Sequence, residues 1–303
     1  MTLLLQYTLI FASVLILVAL GGCFAEHSGV INLGLEGIMI MGALGGALTM
    51  RYLPSDASAI VIILSVILVA AAVGMLYSCL LAVACINFKA DQTLVGTALN
   101  LLGTAGATVI VKAINTAANP DDVSSIIQYA APKKAFTVNL GSFEFSWFML
   151  VTALLLTASY VLLYKTRFGL RLRMVGENPK AAATMGLRVH GIKYCGVLIC
   201  GALAGVGGAY LSLDQLDMFV RNMTAGRGYI AVAIAILGRY NPAQIVPCAL
   251  LFGFCDAVQI YLQGEAFPPQ IVQMLPYIVT LLVLAFGVKH IKPPAGVGKY
   301  DDE

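Results

Sequence analysis

The sequence predicts an all-α protein, a polytopic transmembrane helical bundle of eight to ten spans in which some helices are broken. Three observations carry this. Hydrophobic residues make up 60% of the 303 positions and charged residues only 11%; too few polar groups remain to cover a globule, so lipid is the natural solvent for most of the chain. Apolar runs recur along it, each close to the roughly 20 residues that a helix needs to cross hydrocarbon. The 30 glycines are spread through those runs, which suits helices packed through small residues, whereas a barrel would alternate in segments of roughly ten residues.

In chain order the runs cover 3–24, 29–50, 59–85, 94–113, 147–164, 196–213, 243–262 and 271–288, and a shorter ninth, 226–240, ends at Asn241-Pro242. The first contains Leu20-Gly21-Gly22-Cys23, loosely like a lipoprotein cleavage site. It lacks a basic leading region and is followed by further membrane segments, so it reads as an uncleaved first helix. Loop charges then set the orientation. With 165–195 inside, Lys165, Arg167, Arg171, Arg173, Lys180, Arg188 and Lys193 are joined there by Lys89, Arg239, Lys289, Lys292 and Lys299, twelve of the 18 basic residues. Arg51, Lys112, Lys133, Lys134, Arg221 and Arg227 fall outside, the asymmetry that the positive-inside rule prefers. Nine crossings place the N-terminus outside and the C-terminus in the cytoplasm. Residues 1–303 read as a single transmembrane domain with an extracytoplasmic loop, 114–146, and a cytoplasmic loop, 165–195.

Several chemistries are excluded. The net charge of +3 is accounted for by loop asymmetry, with no basic patch for nucleic acid. The seven cysteines lie in or beside apolar runs without a C-x-x-C spacing and read as small core residues, with no disulfide or metal site. His27, His190 and His290 are far apart, and no nucleophile and base pair emerges, so the chain does not read as an enzyme. Gly296-Val297-Gly298-Lys299 resembles the end of a phosphate loop, but Pro293 and Tyr300 stand where that motif needs glycine and a hydroxyl residue. No cofactor is expected on this chain.

The cytoplasmic loop is the most polar stretch. Asn178 can cap a helix with Pro179 in its first turn, Lys180-Ala181-Ala182-Ala183-Thr184-Met185 propagate it, and Gly186 can close it in a left-handed turn. A helix of about two turns is marginal in water. It is either a solvated basic loop or a docking element for a cytoplasmic partner. The external loop carries Asp121-Asp122, Lys133-Lys134, Phe136, Phe143 and Phe145, and is too short for a substrate-binding domain. A gate segment, a docking surface and an ordinary interfacial loop all fit it.

Ionisable groups within membrane runs are costly and mark a path or a pairing. Asn32 and Glu36 are four apart, on one helix face, among Gly29, Gly34 and Gly37, where a break would expose backbone toward a cavity. A path-lining role competes with structural pairing or interfacial solvation. Asn100 reads as a helix-to-helix hydrogen bond or a path residue, and Asp256 with Gln259, three apart, as bundle packing or solute contact.

Six blocks carry a resemblance. They are Ser28-Gly29-Val30-Ile31-Asn32-Leu33-Gly34-Leu35-Glu36-Gly37; Gly96-Thr97-Ala98-Leu99-Asn100-Leu101-Leu102-Gly103; and Gly176-Glu177-Asn178-Pro179-Lys180-Ala181-Ala182 with Met185-Gly186-Leu187. Gly226-Arg227-Gly228-Tyr229-Ile230-Ala231 with Gly238-Arg239-Tyr240-Asn241-Pro242 follows, then Phe252-Gly253-Phe254 with Asp256-Ala257 and Gln259, and finally Gln273-Met274-Leu275-Pro276-Tyr277-Ile278-Val279-Thr280. In this order, over about residues 20 to 288, they resemble the permease subunits of ATP-binding-cassette importers of the simple-sugar and nucleoside type, in the branched-chain amino acid and ribose permease superfamily. The nucleoside importers are the subgroup most resembled.

The resemblance implies a multi-pass protein of a bacterial-type cell membrane. Two permeases, here expected to be different but related chains, enclose the path, cytoplasmic ATPase subunits hydrolyse the ATP, and an extracytoplasmic binding protein delivers a nucleoside or simple sugar. It further implies that Gly176, Glu177, Asn178, Pro179, Lys180, Ala181, Ala182, Met185 and Gly186 form the coupling loop on the ATPase, whose closure would shift the bundle between two states. Asn32, Glu36, Asn100, Asp256 and Gln259 are the path candidates. Membrane lipid is the remaining partner. Rival readings are a gradient-driven secondary transporter, for which Glu36 and Asp256 are thin material, and a passive channel for a small polar solute.

Overall fold

Helix α1 (Thr2–His27) is apolar on every side, and such a helix is buried on every side. In the computed structural model, which describes residues 2–54, 58–128, 137–140, 143–216, 218–262, 274–287 and 293–299, α1 and α8 (Val189–Tyr210) form the axis. Their membrane-length segments are 89% and 83% enclosed, against 22–39% for the other four helices of that kind. Around them stand α2 (Leu35–Tyr52), α3 (Ala59–Ala82, continued by a π-helical turn Val83–Asn87), α4 (Gln92–Ala118), α5 (Trp147–Lys165), α9 (Arg227–Leu237), α10 (Pro242–Leu262) and α11 (Leu275–Gly287). Two short helices, α6 (Arg167–Glu177) and α7 (Pro179–Thr184), lie in the 165–195 loop. Strand β1 (Ile127–Gln128) pairs antiparallel with β4 (Met218–Phe219), and β2 (Thr137–Leu140) with β3 (Phe143–Ser146).

Glycines set the packing, because lipid gives little hydrophobic reason for helices to associate and close backbone contact must do the work. Gly42 of α2 meets Gly205 of α8, Gly74 of α3 meets Gly201, and Gly208 meets the Met39 carbonyl, each so near that a side chain would overlap backbone. A Cβ on Gly103 of α4 would lie 2.8 Å from Gly37 Cα, while one on Gly106, a turn away, would meet nothing within 4 Å. Gly103→Ala is therefore expected to destabilise the purified protein by about 1–3 kcal/mol, and Gly106→Ala to leave its melting temperature in detergent unchanged or slightly raised. Equal effects would contradict this packing.

Six described helices are long and apolar enough to cross a membrane. The other three apolar runs correspond to α2, α9 and α11; the first two are preceded by irregular chain, so the expected helical bundle with broken helices is the one found. The run 29–50 is helical only from Leu35, because Gly29 takes φ +85° and residues 28–34 are irregular. That corrects one expectation: Asn32 precedes the helix and does not share a helix face with Glu36. The run 226–240 contains a helix of only eleven residues.

The two ends of the bundle differ. At one end the His27 carbonyl sits against Gly176, and the tail packs over both: Gly296 N donates to Gly176 O (2.8 Å), Gly298 N to Gly29 O (3.2 Å) and Ala295 N to Glu177 Oε2 (3.2 Å). Lys89, His190, Lys193 and Lys299 line one small recess there, so three of the basic residues grouped by the charge count share an end. At the other end Arg51 Nη1 donates to Asn115 Oδ1 (2.7 Å), whose Nδ2 donates to Ile126 O (2.9 Å), fixing the start of β1. There the Ser124 hydroxyl and amide hold the Asp122 carboxyl below its ordinary range. Lys133, Lys134, Phe136, Gln273, Lys289 and Lys292 lie outside the described residues.

Candidate translocation site and coupling loop

The 165–195 loop folds as its sequence directs. Thr166 caps α6 by accepting from Gly169 N (3.1 Å), and Asn178 Oδ1 caps α7 by accepting from Ala181 N (3.1 Å). Pro179 occupies the first turn, and Gly186 ends the segment at φ +79°. Two of the nine candidate contacts turn inward with Gly176. Ala182, 1% exposed, packs with Val175 and Val189 in a small core of the loop's own, and Pro179 is buried under the tail. Glu177, Asn178, Lys180, Ala181, Met185 and Gly186 are exposed, and Met185, at 69%, projects an apolar side chain into solvent. The outward face is thus small, polar and flat with one flexible thioether.

The second site lies deeper. Tyr240 sits at the loop end of the bundle, where His27 Nε2 and Cys23 Sγ bond its carbonyl (3.0 and 2.7 Å). From there α9 climbs eleven residues, about 16 Å at the helical rise, so its first residue, Arg227, is near mid-bundle. The chain before it is irregular, with Asn222 (φ 58°), Ala225 (φ 45°) and Gly226 (φ 83°) in the left-handed region. For Ala that geometry is strained and persists only when its surroundings enforce it.

Glu36 is what enforces it. Its carboxylate is 5% exposed and accepts from the Thr224 hydroxyl, from Gly226 N (2.8 Å) and from Gly228 N (2.6 Å). It caps the N-terminus of α9, where free amides and the helix dipole favour an anion. Gly228 permits the approach, since a Cβ there would lie 2.6 Å from Glu36 Cα. Asn100 ties the same junction from α4: Oδ1 accepts from Gly37 N (2.8 Å), and Nδ2 donates to Leu33 O and Tyr229 Oη (both 2.8 Å). Asn32 braces the irregular lead into α2, accepting from Gly34 N (2.9 Å) and donating to Cys200 Sγ (3.1 Å). These three candidates hold two interrupted elements together.

Asp256 and Gln259 differ from them. Both face a cavity of about 240 Å³ with Ala225, Arg227, Ile230, Pro276 and Tyr277. Arg227 Nε is 3.4 Å from Asp256 Oδ2, and neither atom has a hydrogen bond of good geometry. The guanidinium lies over the Phe11 ring at 5.5 Å, and Tyr277 Oη donates to Ala225 O (2.8 Å) across the cavity mouth. Arg227 therefore does not belong to an external loop, as the charge count places it, but pairs with Asp256 inside the bundle. A pair of glycines around an arginine, opening an apolar run too short to span, is the sequence sign of such a half-helix. Thr224, Tyr229 and Tyr277 carry no comparable sign.

The family described as branched-chain amino acid transport system / permease component matches residues 4–284. The chain is 38% identical to the guanosine ABC transporter permease protein NupQ of Bacillus subtilis, covering 96% of this chain and 93% of that protein. It is 35% identical to the nucleoside ABC transporter permease protein NupC of Lactococcus lactis (95% and 93% covered) and 32% to the putative glucose ABC transporter permease protein TsgC13 of Haloferax volcanii (94% and 91%). No solved structure matches. With a half-helix capped by a buried carboxylate at mid-bundle and a family match over nearly the whole length, the chain belongs to the branched-chain amino acid transport system permease components, multi-pass membrane subunits that transport solute and are not enzymes.

Proposed function

We propose that this permease is one half of an ATP-driven importer that carries a nucleoside into the cell, with the 165–195 loop and the C-terminus in the cytoplasm. The observation that carries the reading is the Arg227–Asp256 pair beside an interrupted helix at mid-bundle depth. Charges at that depth do not face hydrocarbon, so the wall made by α9, α10 and α11 faces a water-filled path or another protein. The two charges cancel, and the cavity offers a carboxylate, a guanidinium, a carboxamide and a phenol, a set suited to a neutral solute rich in donors and acceptors. A nucleoside is such a solute, and the names of the Bacillus and Lactococcus relatives favour it. A simple sugar, as in the name of the Haloferax relative, is the competing ligand.

In this reading a second, related permease closes the path against that wall, as in the importers the sequence resembles. An extracytoplasmic binding protein supplies the solute, and ATPase subunits dock on the outward face of α7. The chain itself binds no cofactor. Ala182→Asp would bury a carboxylate in the loop's own core, so the contact is better tested on its surface, with Ala181→Asp combined with Met185→Asp. In native membranes the double variant is expected to lower ATPase co-purification by about 2 kcal/mol, some thirtyfold, and to abolish uptake of labelled guanosine while the amount of folded permease stays constant. Glucose serves as the competing label. Uptake that survives without an ATPase and follows the proton gradient would instead establish a secondary carrier.

A further inference from the structure

Gly296-Val297-Gly298-Lys299 cannot cradle a phosphate, yet its two glycines stand at a junction of three segments. The α1–α2 turn, the α6–α7 junction and the tail meet there, with Gly176 of the junction pressed on the His27 carbonyl. The tail closes over both. A Cβ on Gly296 would lie 2.6 Å from Gly176 O and 2.8 Å from Pro179 Cδ, so only glycine lets the tail lie flat on the start of α7. Gly298, at φ +74°, turns its amide to Gly29 O, and a Cβ there would come within 3.3 Å of Ile31 Cδ1.

We infer that residues 295–298 are a strap that fastens the coupling loop to the α1–α2 turn, so that the start of α7 and the irregular lead into α2 move as one piece. The segment beyond the turn is already held by short contacts. Ile31 N donates to Gln92 Oε1 (2.7 Å) and Gly34 N to Asn32 Oδ1 (2.9 Å). Two residues further on, Glu36 holds the first turn of α9. Displacing α7 therefore shifts the capped half-helix beside the Arg227–Asp256 cavity through a chain of direct contacts. Of the two faces that meet at the Gly176 junction, the tail is the element that bonds both, through Gly176 O and Glu177 Oε2 on one side and Gly29 O on the other. Ala295, Gly296 and Gly298 are positioning residues and touch no solute. The inference rests on the importer reading for its functional consequence, while the mechanical link can be read on the permease alone.

Two measurements test it, on the full chain, on Gly296→Val, on a chain ended after Pro294, and on Val297→Ala as a conservative control. Hydrogen exchange of the purified permease reads the link: without the strap, amides 29–34 and 176–178 are expected to exchange about tenfold faster or more, with α4 and α8 unchanged. Unchanged exchange in both tail variants would overturn the strap whatever the protein transports. In liposomes holding the complete importer, ATPase recovery and ATP hydrolysis are expected to persist while labelled guanosine taken up per ATP falls about tenfold. Normal uptake per ATP, or loss of ATPase recovery together with uptake, would overturn the transmission role. Faster exchange together with guanosine uptake that needs no ATPase would uphold the link and sink the importer reading instead.

Discussion

Asp256→Asn is expected to remove most of the folded permease together with its transport. The substitution leaves the Arg227 guanidinium, whose side chain is only 20% exposed, at mid-bundle without its counter-charge. Glu36 cannot replace the lost partner, because its carboxylate is committed to Thr224, Gly226 and Gly228. Breaking a buried pair from one side costs about 3–5 kcal/mol. Arg227→Gln should do similar damage by stranding the carboxylate. The informative variant is the double one, Arg227→Gln with Asp256→Asn, which removes both charges and keeps the volume. Its folded yield and melting temperature should return close to wild type, since replacing a whole pair is often near neutral. Its uptake of labelled nucleoside should stay below about a tenth, the loss that follows when a buried polar solute loses its charged partners. Wild-type uptake in the double variant would make the pair structural and take it out of the path.

Glu36→Gln is the second large effect. One Glu36 oxygen accepts from Thr224 and Gly226, the other from Gly228 at 2.6 Å. A carboxamide can serve one side only, and its NH₂ then faces a backbone N–H. With the charge-assisted bonds weakened and one amide opposed, the expected loss is about 3 kcal/mol. It falls on the start of α9, directly after Ala225, which already holds strained backbone. The melting temperature in detergent should drop, and uptake should fall more than tenfold because Arg227 follows the cap by one residue. Glu36→Asp, which keeps the charge but shortens the reach, should lie between. An unshifted melting temperature in Glu36→Gln would mean that α9 holds its start without the carboxylate.

The bundle was legible because its cause is compositional: among the described residues, the nine apolar runs became six helices long and apolar enough to span and three others, α2, α9 and α11. The cap of α7 was legible because Asn178, Pro179 and Gly186 act on their own neighbours. Where contacts join distant residues, the sequence was mute. Glu36 and Asn32 look like one helix face, since the glycines at 29, 34 and 37 signal a break without saying that it falls between the two residues and starts α2 only at Leu35. Ala182 looks like docking surface because its burying partners, Val175 and Val189, lie on either side of a turn whose geometry spacing does not reveal. Arg227 was assigned to a loop by counting crossings, a count that breaks when a crossing is made half of helix and half of irregular chain.

The enclosure of α1 carries a consequence for how the molecule is made. Its neighbours include α5, α8, α9 and α10, so this helix leaves the ribosome well before the last parts of its surroundings. At about 5–20 residues per second, the 235 residues from Ser28 to Leu262 occupy roughly 10–50 s. In the earlier part of that interval, until α8 is made, the groove at Gly21, shaped for the Cys200 carbonyl, is open to lipid or to a chaperone. Biogenesis of this permease is thus a holding problem: an early segment must be kept in the membrane, unpartnered and unproteolysed, until a helix from the far half of the chain arrives to enclose it.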